Sequence, residues 1–297
     1  VYLNRKTLIV LTLLTLMVAG IRFSDGSLLL AIASGAGIDS SSFNASHTQY
    51  VFDSPLKILL LKLSPSNILW IAFTFFLISL LPLIGIFTHE KSKLYYLTAA
   101  LIALTPSIKI SLQNIGVGDG LVYLLILVAV GSLNGPVILL TILLIALWHP
   151  QQAFFIVGTY CLFSLNYESQ FDFRQRLIWS MAGLLIGGAI FFAYKASLDF
   201  TYHDRADYLL DRLQDLPLKN LMFLPVSLFY SGFWLYIIQR IVPTKSIAIY
   251  TYIWILALIA IATLTTDVTR VLSIIALPAL LIPLKVAYDG GSTPNYS

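Results

Sequence analysis

Apolar residues run along this chain in blocks separated by short polar breaks, and the block lengths predict its elements. A full membrane-crossing helix needs about 20 apolar residues. Thr7 to Ile21 forms a first block, and Ile68 to Phe87 a second, closed by His89-Glu90-Lys91-Ser92-Lys93. Four shorter blocks follow: Tyr95–Ser107, Leu121–Leu133, Pro136–Trp148 and Ala153–Leu165. Their breaks are Gln113-Asn114, Asn134-Gly135-Pro136 and His149-Pro150-Gln151-Gln152. Short apolar helices joined by polar backbone suit packing against protein around a cavity, because lipid leaves no partner for a broken helix. Longer blocks return at Leu177–Tyr194, Leu221–Ile241, Ile247–Leu264 and Val271–Tyr288. Pro55 to Leu63 is short and interrupted by Lys57 and Lys62, which predicts an interfacial helix with both lysines snorkelling to headgroups. The pattern predicts an all-α polytopic integral membrane bundle of about ten membrane helices or half-helices.

The loops predict sidedness. Arg5, Lys6, Lys91, Lys93, Arg174, Arg176, Arg240, Lys245 and Lys285 fall on one side, with Glu90, Glu168, Asp172 and Asp289. The other side takes ten of the 14 acids: Asp25, Asp39, Asp53, Asp119, Asp199, Asp204, Asp207, Asp211, Asp215 and Asp267. By the positive-inside rule both termini are cytoplasmic and the acidic side faces outward. Arg5 and Lys6 before an apolar run resemble a signal peptide, but Arg22 follows at once without a small-residue cleavage site, so the run reads as a retained span. Residues 1–288 read as a single transmembrane domain, and 289–297 as a disordered tail.

Composition narrows the class further. Only 11% of the 297 residues are charged and 58% are hydrophobic, whereas soluble domains carry about 25% charged residues. A soluble globule is excluded. The net charge of +4 provides no basic surface for nucleic acid. The single cysteine, Cys161, lies in an apolar run and reads as a small core side chain.

Four polar clusters on the acidic side are candidates for chemistry. Asp25, in Phe23-Ser24-Asp25-Gly26-Ser27, reads equally as a general base and as the cap of a short helix Ser27–Ser34. Gly116-Val117-Gly118-Asp119-Gly120 places alternating glycines before a helix start, a geometry that brings backbone N–H groups to phosphate. Outside a strand-turn-helix unit this spacing is weak, and an N-terminal cap at Asp119 is the plainer reading. In Trp148-His149-Pro150-Gln151-Gln152, an ionisable side chain at membrane depth is a functional candidate by default, against a neutral His149 bonded within its turn. No second histidine or cysteine stands at zinc-ligand spacing. The fourth cluster joins Tyr202-His203-Asp204-Arg205 to Asp267-Val268-Thr269-Arg270. Leucines after Ala206 recur at helical spacing, as in an amphipathic surface helix. Arg270 opens the last apolar block, where a guanidinium suits phosphate oxygens or a structural pair with Asp267.

A first span, then Asp25-Gly26-Ser27-(apolar)-Ile32-Ala33-Ser34-Gly35, then Tyr50-x-x-Asp53-Ser54-Pro55-Leu56, resembles the GT-C glycosyltransferases. The broken helices around His149 and the late Asp267-x-x-Arg270 are similar to bacterial members. The chain departs from many of them in its small size, with no large outer domain and no second acid beside Asp25. The resemblance implies transfer of a sugar from a polyprenyl-phosphate donor to a glycan or lipid-linked acceptor, on the outer face of a bacterial inner membrane. It makes Asp25 the catalytic base. Arg270 and Arg205 stabilise the leaving phosphate, and His149, Gln152, Asp119, Asp267 and His203 line the substrate site. It names no required cofactor and leaves a divalent metal open. A lipid-linked oligosaccharide polymerase or ligase shares such a site but has a larger late outer loop than Tyr194–Asn220. A transporter needs a path open to both sides and usually internal repeats, and none is visible.

Overall fold

The computed structural model describes residues 4–19, 54–64, 66–105, 107–113, 115–197, 249–265 and 268–289. Regular structure among them is helical throughout, in twelve helices. In chain order these are α1 (Arg5–Ala19), α2 (Pro55–Leu63), α3 (Asn67–Phe87), α4 (Lys93–Leu104), α5 (Ser107–Gln113) and α6 (Asp119–Gly131). Then come α7 (Gly135–Trp148), α8 (Pro150–Tyr167), α9 (Gln170–Ala196), α10 (Ile249–Thr263), α11 (Val268–Ile275) and α12 (Leu277–Asp289). Three stretches are long and apolar enough to cross a membrane: Asn67–Phe87, Gln170–Ala196 and Val268–Asp289. The predicted span Leu221–Ile241, the helices predicted at Ser27–Ser34 and after Ala206, and residues 290–297 lie outside the described residues.

The helices sort by the surroundings their lengths suit. α9 is 27 residues long, and only 17% of its apolar stretch is buried, as befits a lipid-facing helix. For Val268–Asp289 the buried share is 83%. The predicted single block Val271–Tyr288 is two helices that part at Ala276. Pro278 lacks the N–H that would bond Ile274, and its ring crowds that carbonyl, so the backbone restarts there. The short α6 sits at the centre, packed on α3, α4, α5, α7 and α12. α5 fills a stretch the apolar pattern divided between a block and a break.

Close helix approach rests on small residues. α7 packs along α9, where a Cβ on Gly183 would stand 2.7 Å from the Leu139 carbonyl oxygen and one on Gly187 2.6 Å from the Ala146 Cβ. Glycines four residues apart let two backbones approach within a medium that supplies little driving force of its own.

One end of the bundle is a connected polar layer. Arg5 pairs with Glu90 at 3.7 Å, Lys93 with Asp289 at 2.9 Å, and Lys285 with both Asp289 and Glu168. The Tyr288 hydroxyl donates to the Lys91 carbonyl. These are residues that the loop charges assign to one side, and here they meet. Asp289 therefore ends α12 instead of opening a tail. Arg176, fully buried, anchors the inner part of this layer. Its Nε lies 2.5 Å from Glu168 Oε2, and its Nη atoms donate to the carbonyls of Ala129 (2.9 Å) and Val130 (3.1 Å) and to the Tyr160 hydroxyl. It thus satisfies carbonyls at the C-terminal end of α6, where an intrahelical partner is lacking.

Candidate functional site

The opposite end of α6 starts from a glycine turn. Gly116 and Gly118 adopt φ of 101° and 83°, the left-handed region that disfavours a side chain. Gly118 also lies under Trp148, because a Cβ there would come within 2.4 Å of Trp148 Cζ2. A Cβ on Gly120 would meet the Ile78 backbone nitrogen at 3.0 Å, so α6 begins pressed onto α3. α3 holds the turn from its other side: Trp70 Nε1 donates to the Gly116 carbonyl at 2.8 Å, and the Gly116 N–H donates to Thr74 Oγ1 at 3.1 Å. The glycine spacing thus serves a tight turn and two close approaches.

That turn delivers Asp119 as the first residue of α6, with Gly118 in the cap position. The cap position is held by Gly118 and not by Asp119, so the plainer sequence reading of Asp119 as an N-terminal cap is corrected. Asp119 turns into the bundle instead, with 1% of the side chain exposed. His149 Nε2 lies 3.1 Å from Asp119 Oδ1. An ionised carboxylate only accepts, so the imidazole carries its proton on Nε2 and donates. Arg270 Nε stands 3.3 Å from Asp119 Oδ2. Three residues taken from three separate polar clusters of the sequence therefore converge on one carboxylate. α6 supplies the acid, the α7–α8 break supplies the histidine, and α11 supplies the guanidinium.

Local chemistry explains each placement. Pro150 opens α8 and cannot donate into α7, so the chain breaks at His149 and its side chain leaves both helices. Arg270 sits on α11, which packs on α5, α8 and α10. Ser273, one turn later, donates to the Arg270 carbonyl at 2.8 Å and shares a 2.9 Å hydrogen bond with the Tyr123 hydroxyl, one turn below Asp119. Two polar layers on α6 and α11 thereby face each other.

Lys57 completes the group, against expectation. It is 1% exposed, and its Nζ lies 5.3 Å from the Trp148 ring centroid. The predicted snorkelling is corrected for this lysine, while Lys62 is exposed. Five residues apart on a helix is about 140° around its axis, so the two point to different surroundings. Trp148 stacks in turn on Trp70, with centroids 6.3 Å apart and planes 22° from parallel. Gln152 stands in the first turn of α8, its Oε1 buried without a hydrogen-bond partner.

Asp25, His203, Arg205 and Asp267 lie outside the described residues, so the pairing read for Asp267 with Arg270 is not described; the acid seen beside Arg270 is Asp119. Among the described residues no group of three His, Cys, Asp or Glu side chains is arranged to hold a metal ion. Half-buried Cys161 lies beyond this cluster on α8 and belongs to the packing.

Two cations, an imidazole and a carboxylate cluster beside two stacked indoles. Ionisable groups are costly at membrane depth and persist where they pair with one another or meet a ligand. Such a set can bind an anion, align a hydroxyl and exclude bulk water. Comparison of the chain with protein-family models, with curated proteins and with solved structures finds no match.

Proposed function

We propose that the protein is a membrane glycosyltransferase of the GT-C kind, transferring a sugar from a polyprenyl-phosphate donor to a glycan or lipid-linked acceptor. The observation that carries this reading is the Asp119–His149–Arg270 cluster, with Lys57 beside it, in which Asp119, His149 and Lys57 are buried. A lipid-borne phosphodiester is an anion that arrives within the membrane, and Arg270 and Lys57 are cations that meet it there. The acceptor oxygen forms a bond to the anomeric carbon, and the bond from that carbon to the phosphate oxygen breaks with its electron pair. Arg270 and Lys57 stabilise the charge developing on that leaving oxygen, the kind of preorganised term that dominates many rate enhancements. The acceptor proton passes to Asp25, the base implied by the resemblance. Asp119, engaged by His149 and Arg270, orients both. Arg205, His203 and Asp267 belong to the donor side of the same reading, and the site faces outward by the distribution of basic turns.

A path through the bundle is disfavoured by the far end. Glu168, Arg176 and Lys285 form a buried paired layer there, and their contacts close the end of α6. This supports a one-sided site over a transporter.

The test uses the full chain in lipid nanodiscs with radiolabelled polyprenyl-phosphate sugars and a polyprenyl-phosphate-free control. Release of free polyprenyl phosphate together with a glycosylated acceptor from a membrane extract supports the reading. Absence of both binding and turnover across hexosyl and pentosyl donors defeats it.

A further inference from the structure

Trp148 is fully buried, yet its indole N–H has no hydrogen-bond partner. An orphaned donor of this kind carries the full cost of its desolvation, and buried polar groups in folded proteins are nearly always paired. The indole is oriented at the site. Its Cζ2 and Cε2 edge lies against Gly118, next to Asp119, and Nε1 is bonded to Cε2. Three residues along the chain from His149, the Gln152 Oε1 is likewise buried without a partner. One turn of chain thus carries an unpaired donor and an unpaired acceptor, flanking the histidine that bonds Asp119.

We infer that Trp148 and Gln152 form a subsite for sugar hydroxyls, next to the cations that take the phosphate. A hydroxyl both donates and accepts, so it satisfies an amide carbonyl and an indole N–H alike. A phosphate oxygen satisfies the indole only and is repelled by the carbonyl. The pair therefore selects a neutral polyhydroxyl group, and the charged set beside it selects an anion. Lys57 Nζ, 5.3 Å from the Trp148 ring centroid, steadies the indole beside the charged set. The inference rests on the glycosyltransferase reading and adds where the sugar is held and by which atoms.

The experiment compares binding of farnesyl phosphate with binding of a panel of hexosyl and pentosyl farnesyl phosphates to the full chain in nanodiscs. Wild-type protein should bind at least one glycosyl probe about tenfold more tightly than the bare phosphate, which is about 1.4 kcal/mol. Trp148→Phe keeps the ring and removes the N–H, and Gln152→Met keeps the length and removes the acceptor. Each should abolish most of that preference while farnesyl phosphate binding stays within about twofold. A preference that survives in both variants, or a wild-type protein that binds bare and glycosylated probes equally, overturns the subsite and leaves the phosphate site standing. A wild-type protein that binds neither overturns the functional reading itself, and the subsite falls with it. If Trp148→Phe does not fold, Gln152→Met decides.

Discussion

Replacing Asp119 by asparagine tests whether the convergence on this carboxylate carries energy. The variant keeps the size and one oxygen, so the His149 Nε2 donor retains an acceptor. What it removes is the negative charge 3.3 Å from Arg270 Nε. In an effective dielectric of about 20, unit charges at that separation attract by about 5 kcal/mol before the cost of burying them. Much of that is offset by desolvation, because the Asp119 side chain is 1% and that of Arg270 12% exposed. A charge-assisted hydrogen bond measures about 1.5–3 kcal/mol net, so Asp119→Asn should destabilise by about 2 kcal/mol. Asp119→Ala should cost more, about 3–5 kcal/mol, because it leaves Arg270 without this counter-charge. The pairwise part is isolated by a double-mutant cycle on Asp119→Asn and Arg270→Gln, read by denaturant-induced unfolding in detergent with circular dichroism. A coupling of about 1.5–3 kcal/mol is expected for partners in direct contact. Additivity within about 0.5 kcal/mol, the behaviour of independent sites, would refute the pairing.

Two further substitutions probe the frame. Gly118→Ala forces a side chain into φ of 83° and into the Trp148 ring; left-handed backbone alone costs about 1–2 kcal/mol. Its thermal transition in detergent should fall and the Trp148 fluorescence should shift, and an unchanged transition would mean the turn is not as described. Glu168→Gln removes the charge shared by Arg176 and Lys285 at the far end and should cost about 3–5 kcal/mol. Lipid-phosphate affinity of the folded protein should stay at its wild-type value, and a matching loss of affinity would show that the two ends are not independent.

Much of the frame was readable from local pattern. Pro55–Leu63 and the break at His149 follow from where proline and polar residues interrupt apolar runs, and proline acts through its own backbone. Several residues that the basic turns group together meet in the linked layer from Arg5 to Glu168. Asp119, His149 and Arg270 were legible one by one, since each is an ionisable residue flanking an apolar helix. Their meeting was not, because pairing between distant helices leaves no mark in local spacing. Lys57 escaped for a related reason. A lysine on a short amphipathic helix reads the same whether it faces headgroups or protein, and only the position of Trp148 decides. Arg176 and Arg174 show the same ambiguity two residues apart: the first is buried and the second exposed.

On the proposed reading, the disparity in helix length has a consequence for how a lipid-borne phosphate would reach Arg270 and Lys57. α6, with 13 residues, rises about 20 Å, whereas the hydrocarbon slab is about 30 Å thick. α9, with 27 residues, rises about 40 Å and overreaches that slab. An α6 centred in such a slab and parallel to its normal would place Asp119 about 5 Å beneath the hydrocarbon boundary. On the glycosyltransferase reading proposed above, the anionic headgroup would sink below its usual plane to meet Arg270 and Lys57. Thinner bilayers bring that boundary closer to Asp119, so acyl-chain length becomes a control on how readily the headgroup descends.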